Sequence, residues 1–285
     1  MVYSVATREH VVAALDTATQ LTELGANSPG TVDVPQSSML TGIYINAAPQ
    51  WTADAHYGFS SAIRLSGSGI SGYQSYPGPC GGTCGLAVGS CGFSAHPAQR
   101  YKTRIPVVPG QGIDIEGFMH GEDMGDLQLM VTLEFDGVPG MIRDMDYREE
   151  NLTAANTPVV LGAKLGAAHA YIQPSTLNIG EIHLNGGVKN VGAAPLGAPT
   201  LFEIFGAALP SGGLFEFCGH AYAQQDDTGA AAAVGGAGSV QTNSVVYTVP
   251  RGKLPLKSGN KFQAQAEMIE DDVGTIYAIM GIGYL

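Results

Sequence analysis

Cysteine is the first residue type here that could do chemistry. Cys80, Cys84 and Cys91 cluster with spacing C-x3-C-x6-C, and Cys218 stands far away. Zinc sites prefer two close Cys pairs, or Cys pairs followed by paired His. Here His96 is the one imidazole nearby. The spacing favours free thiols over a disulfide, and a disulfide over a metal. A disulfide would staple the Gly-rich loop by lowering the entropy of its open states. A bond from Cys218 to that loop is a further alternative.

The other candidates have plainer structural readings. The seven histidines, at 10, 56, 96, 120, 169, 183 and 220, form no H-x-H and no H-E-x-x-H. A bicupin enzyme needs His-x-His with a following Glu and a later His, which this chain lacks. Acidic turns at Glu122, Asp123, Asp126 and at Glu270, Asp271, Asp272 could gather oxygens for Ca²⁺ or act as paired carboxylates. The same turn occurs at the same place in both halves, which points to fold grammar: Asp gives a local hydrogen bond and Gly a positive φ. GSGISG at 67–72 matches G-x-G-x-x-G, but YQSYPGPCGG follows it, and no helix can open there to face a pyrophosphate. GAAAAVGGAGS at 229–239 lacks the Lys of a phosphate cradle. No G-x-S-x-G and no P-loop occurs. The expectation is no catalytic residue, no cofactor and no metal, with no enzyme activity.

Composition narrows the classes further. The chain has 285 residues, and its formal net charge is −12. Charged residues are 13%, about half the usual ~25%. Gly is 40 of 285, about twice the usual ~7%. A hydrophobic fraction of 45% excludes an acidic disordered chain. The negative balance argues against direct nucleic-acid binding. No apolar run reaches the ~18–20 residues of a membrane-spanning helix. MVYSVATREHVV shows no cationic start before an apolar core, so no ordinary secretory signal is expected. So sparsely charged a surface is easier to keep soluble when other subunits cover it, which favours an oligomer.

These residues must be positioned mostly by strands. Residues 1–30 are predicted to form a helical arm. Thr7 would cap it, Glu9 sits in its first turn, and Val11, Ala14, Leu15, Ala18 and Leu21 fall on or near one face. Gly25 would end it. After residue 30 the helical period mostly disappears. The first clear strand begins at Ile43, with others near 58–65, 102–108, 112–119 and 127–135. In the second half, strands are predicted near 179–184, 200–205, 214–218, 244–249, 262–268 and 275–284. Many short strands between turn residues argue for an all-β sandwich or barrel.

An internal repeat divides the chain. Residues 105–135 align with 254–284 at an offset of 149, with five of 31 positions identical. Pro106 matches Pro255 and Gly110 matches Gly259. The acidic turn 122–125 matches 271–274, and Leu127, Leu129, Val131, Leu133, Phe135 match Ile276, Ala278, Met280, Ile282, Tyr284 with period 2. A weaker match joins 34–45 to 173–184. The reading is two tandem β-domains, 31–137 and 171–285. Residues 138–170 would be a connector, with a helical turn near Glu149–Ala155. Long loops at 72–100 and 221–240 precede the repeated strand pair.

Two tandem antiparallel β-domains, a helical arm, long loops and no catalytic constellation together resemble the double jelly-roll major capsid proteins of tailless icosahedral viruses. The resemblance covers nearly the whole chain and rests on the repeat, with no diagnostic motif. It implies two jelly rolls side by side and homotrimers forming pseudo-hexagonal capsomers. It also implies an arm contacting neighbours, minor capsid proteins or an inner membrane. It places the chain in a virion, made in the host cytoplasm, with 72–100 and 221–240 as tower or inter-subunit loops. The alternative is a secreted or surface β-sandwich module binding a ligand such as carbohydrate. Trp51, the one Trp, with Tyr73 and Tyr76 would be its small aromatic platform. A third reading is a hydrolase using Asp123 or Asp272.

Overall fold

The computed structural model describes residues 4–14, 16–23, 30–36, 39–51, 57–84, 92–93, 99–121, 125–164, 167–168, 172, 178–189, 196–210, 213–224, 245–269 and 275–285. The first part of the chain supplies β1 (Ser4–Val12), β2 (Thr19–Gln20), β3 (Thr22–Glu23), β4 (Val32–Asp33), β5 (Met39–Trp51), β6 (Tyr57–Ser66), β7 (Gln74–Cys84), β8 (Gly92–Phe93), β9 (Gln99–Pro106), β10 (Gly112–Gly121) and β11 (Gly125–Phe135). The second supplies β12 (Asp144–Leu152), β13 (Val159–Val160), β14 (Ala163–Lys164), β15 (Ala167–Ala168), β16 (Ile179–Lys189), β17 (Leu196–Phe205), β18 (Leu214–Gln224), β19 (Val245–Thr248), β20 (Gln263–Met268) and β21 (Thr275–Tyr284). No α-helix occurs among the described residues.

Each part folds as an antiparallel sandwich, and both use one strand order. In the first, β1-β11-β5-β9 form one sheet with β3 at its edge, and β2-β10-β6-β7-β8 form the other. In the second, β12-β21-β16-β19 face β13-β20-β17-β18. Strand for strand, β1, β5, β6, β7, β9, β10 and β11 correspond to β12, β16, β17, β18, β19, β20 and β21. This is the jelly-roll order, with consecutive strands passing between two sheets. The tandem all-β architecture is as expected from the sequence.

Period-2 burial builds both cores. β9 alternates buried and exposed along its whole length, and β20 alternates in the same way. Ile43, Ile63, Ile115, Leu129 and Val131 lie in the first core; Ile182, Phe202, Ile204, Met280 and Ile282 lie in the second. The sequence repeat has a backbone counterpart. Gln111 N donates to Val108 O at 3.2 Å, and Asn260 N donates to Lys257 O at 3.3 Å. The third residues of these turns, Gly110 and Gly259, have φ of +72° and +76°, where an L side chain would be strained.

Three sequence expectations are corrected. The predicted N-terminal helix is absent: Ser4–Val12 is β1, laddered to β11 from Ser4↔Phe135 to Val12↔Leu127. Val5, Thr7, Val11 and Val12 are β-branched, which disfavours a helix and suits a pleated surface. The nine-residue ladder outweighs a helix that would be marginal by itself. The helical turn expected near Glu149–Ala155 is instead the end of β12, paired with β21 from Asp144↔Tyr284 to Leu152↔Ile276. β1 thus falls within 1–30 and β12 within 138–170. The loop predicted at 72–100 begins as strand β7, despite Pro77, Gly78 and Pro79. β7 tolerates them because its register with β6 shifts between Ser60 and Ala62. There the Ser61 hydroxyl donates to Pro79 O at 2.5 Å.

The two sandwiches are locked together through the chain between β11 and β12. Gly140 N donates to Thr103 O at 2.9 Å and Arg104 N donates to Ile142 O at 2.7 Å. Ile142 is fully buried in the first core.

Candidate functional site

Most of the sequence candidates for chemistry lie outside the described residues. Cys80 and Cys84 lie on β7, but their side chains, and all of Cys91, are outside the described residues. Cys218 is exposed on β18. No group of three metal-ligating side chains occurs among the described residues. The residues 122–124 and 270–274 link β10 to β11 and β20 to β21, and lie outside the described residues, as do Asp126's side chain and 229–239. GSGISG forms the turn between antiparallel β6 and β7. Tyr76 is fully buried, so it offers no platform, while Tyr73 is exposed. The Trp51 side chain is outside the described residues.

The most developed polar and apolar surface is the one between the sandwiches. The outer face of β12-β21-β16 packs on the outer face of β6-β7-β10. At its centre Tyr147 and Ile279 meet Ala62 and Phe118, all buried. Gly281 lets β21 approach β7: a Cβ there would lie 2.6 Å from Pro77 Cγ. Asn185 Nδ2 donates to Gly78 O at 3.1 Å. His183 stacks on Tyr101 with ring centroids 4.8 Å apart, and its Nε2 lies 2.9 Å from Glu181 Oε2. The Tyr101 hydroxyl donates to Pro77 O at 2.5 Å. The Tyr147 hydroxyl bonds Glu149. Burial first, then the Glu149 carboxylate, hold the Tyr147 phenol well above its ordinary pKa. Burial first, then Asp144, do the same for Tyr76.

The same strand order and registers give the β12, β21 and β16 residues of this contact counterparts in the first sandwich. Aligning β11 with β21 at the repeat offset of 149 makes Met130 the counterpart of Ile279, and Thr132 that of Gly281. In the second sandwich Tyr147, Gly281, His183 and Val246 form one cross-strand row. In the first, Thr7, Thr132, Tyr44 and Arg100 form it. The neighbouring row is Glu149, Ile279, Asn185 in one and Glu9, Met130, Asn46 in the other. On the opposite side Met145, Gly283 and Glu181 correspond to Val5, Glu134 and Gly42.

The two faces differ in cover. Met145 and Ile279 are 1% and 0% exposed, whereas Val5 and Met130 are 55% and 41% exposed. Asn185 is buried and Asn46 exposed. The receiving sheets correspond in the same way. Ala62, Arg64, Ser75, Pro77 and Phe118 have Leu201, Glu203, Glu216, Cys218 and Glu267 at the matching registers. Ser75 and Pro77 are buried, whereas their counterparts Glu216 and Cys218 are exposed; Phe118 is buried and its counterpart Glu267 half-buried, and Glu203 is buried against its own sheet. One chain therefore carries one joined pair of faces and one unjoined pair.

Sequence reasoning missed β1, β12 and this face. A signal existed: Thr7-Arg8-Glu9 and Tyr147-Arg148-Glu149 lie 140 residues apart. Both arginines point inward and both bond the preceding carbonyl at 3.0 Å. Arg148 also grips both oxygens of Asp146 at 3.1 Å.

No protein-family model matches the chain, and no curated protein matches it. Among solved structures, the N-terminal CBM22-1–CBM22-2 tandem domain of Xyn10C from Paenibacillus barcinonensis is similar over 99% of this chain and 93% of that chain. The identity is 10% and the TM-score 0.26, a likeness that carries no argument about function.

Proposed function

We propose that this chain is a self-assembling shell subunit, a major capsid protein of the double jelly-roll kind that forms pseudo-hexagonal trimers. The observation that carries the reading is the joined and unjoined pair of faces. Within a chain, the β12-β21-β16 face of the second sandwich sits on the β6-β7-β10 face of the first. Its counterpart on β1-β11-β5, with Val5 and Met130 exposed, has the same register, and the matching partner face on β17-β18-β20 leaves Glu216 and Cys218 exposed. A second copy would repeat the internal contact. Such head-to-tail contacts either close into a ring or run on as a filament. Three copies give six similar sandwiches, an object with near sixfold edges that tiles a shell. Low charge suits the role, because packed flanks then desolvate few ions. A net charge of −12 keeps finished particles apart.

The test is particle mass in solution, followed by electron microscopy of the purified chain. Trimers with six lobes, or hexagonal sheets and shells, are expected. A monomer that persists at high concentration would overturn the reading and leave a ligand-binding module as the better account.

A further inference from the structure

One open face carries a row of cations along its edge, with Glu9 and Glu134 nearer its centre, and the other carries carboxylates; this bears on how copies would join. Arg100, Lys102 and Arg104 point outward from β9, an edge strand with every second residue exposed. Arg100 stands 4.9 Å over the Tyr44 ring, in the row that holds Thr132 and Thr7. At the registers of Arg100 and Lys102 the second sandwich has Val246 and Thr248. The second sandwich therefore has no cation at these two registers, where Val246 and Thr248 are also exposed.

The receiving face is their complement. Glu203, Glu216 and Glu267 share the outer side of β17, β18 and β20, and these three strands contain no Lys or Arg. At the covered counterpart, Arg64 and Glu116 neutralise each other at 2.5 Å. On the open face the same two registers hold Glu203 and Gln265, which are hydrogen-bonded to each other. Ser75 and Phe118 are replaced by Glu216 and Glu267. Glu267 already feels the crowding: partial burial, then Glu203, raise its carboxyl pKa.

Resting on the shell-subunit reading, we propose that a second copy of this chain docks its β1-β11-β5-β9 face on the β17-β18-β20 face. By the internal template the Arg100–Lys102–Arg104 row would stand at the rim of that contact, because Val246, the counterpart of Arg100, is 45% exposed, and the row would face the carboxylates of Glu216 and Glu267 from there. Opposite potentials steer the encounter, and like potentials suppress pairing of two identical faces. That fixes head-to-tail order and forbids a twofold dimer through either face. It also makes assembly weaken with added salt, since the charges lie at the exposed rim.

The test uses the full chain and reversals at exposed or half-exposed sites. R100E/K102E should raise the trimer dissociation constant at least about tenfold at low salt, and so should E216K/E267K. A chain carrying all four substitutions should regain trimers. Unchanged melting of the monomer is the control for folding. Wild-type trimers with single-face variants that assemble normally, or a fourfold variant that stays apart, would overturn the charge pairing and leave the shell reading standing. A wild-type monomer would remove both.

Discussion

The outer faces of β12-β21-β16 and β1-β11-β5 have one strand order and matching rows, yet one is interior and the other surface. Ile279 is fully buried while Met130, at the same place in the repeat, is 41% exposed. The covered face has adapted to its cover. Gly281 makes room for Pro77 where Thr132 stands on the open face, and Tyr147 fills space that Thr7 leaves empty. The open face keeps apolar side chains where the covered one needs them and adds cations at its edge. One contact is made within the chain and its equivalent is not, and the proposed head-to-tail assembly would make the second.

Substitutions at matched positions can break that comparison. The largest effect is expected inside the second sandwich. Arg148→Met strips the buried Asp146 of its guanidinium and should cost about 3–5 kcal/mol in denaturant unfolding. Arg8→Met should cost less, because Arg8 bonds the neutral main-chain carbonyls of Gly30 and Thr31. Next, Ile279→Ala should lose about 2–4 kcal/mol of chain stability. Met130→Ala should leave the monomer within about 1 kcal/mol and weaken association instead. Gly281→Leu overpacks the contact with Pro77 and should cost about 1–3 kcal/mol, measured by thermal unfolding. Thr132→Leu, on the open face, should be within about 0.5 kcal/mol for the monomer.

Titration gives a smaller and more gradual contrast. Tyr76, Tyr147 and Tyr284 are each held above the ordinary phenol pKa, chiefly by burial. The unfolded chain therefore ionises first and binds fewer protons at high pH. Stability should be fully present below about pH 10 and fall above it, by at most about 1.4 kcal/mol per pH unit for each phenol. Tyr147→Phe should make that fall shallower in unfolding measured across alkaline pH. The smallest effect is at Glu267, whose carboxyl is raised by partial burial and by Glu203. Its contribution is present at low pH and lost as pH rises through the raised value. Glu267→Gln should flatten stability between acid and neutral pH.

Much of the architecture was legible in the sequence, because β11 and β20 alternate, β21 repeats the apolar positions of β11 at an offset of 149, and the two halves share Pro and Gly landmarks. Gly110 and Gly259 mark one turn in both halves because both need a positive φ. β1 and β12 were not legible. Arg8 and Arg148 occupy inward positions where alternation predicts apolar residues, and Val11 with Leu21 fell by chance at helical spacing. β7 was hidden by Pro77, Gly78 and Pro79, which read as loop chemistry, whereas Gly78 and Pro79 form a bulge on β7 opposite Ser61. The site was legible only as low charge. That Met130 matches Ile279 follows from the repeat, but that one is covered and the other open depends on how the sandwiches pack, which no local pattern encodes.

The internal contact between Gly281 and Pro77 supplies the most direct test. Its counterparts are Thr132 on the open face and the exposed Cys218 on the receiving face. If a second copy repeats the internal packing, a T132C variant should bring two thiols of different chains within the ~3.5–4.5 Å Cβ separation a disulfide needs. Oxidation should then give covalent dimers and trimers on non-reducing gels, and Cys218→Ser should abolish them. A folded T132C protein whose introduced thiol and Cys218 both react with maleimide but never form a Cys218-dependent cross-link would contradict the account.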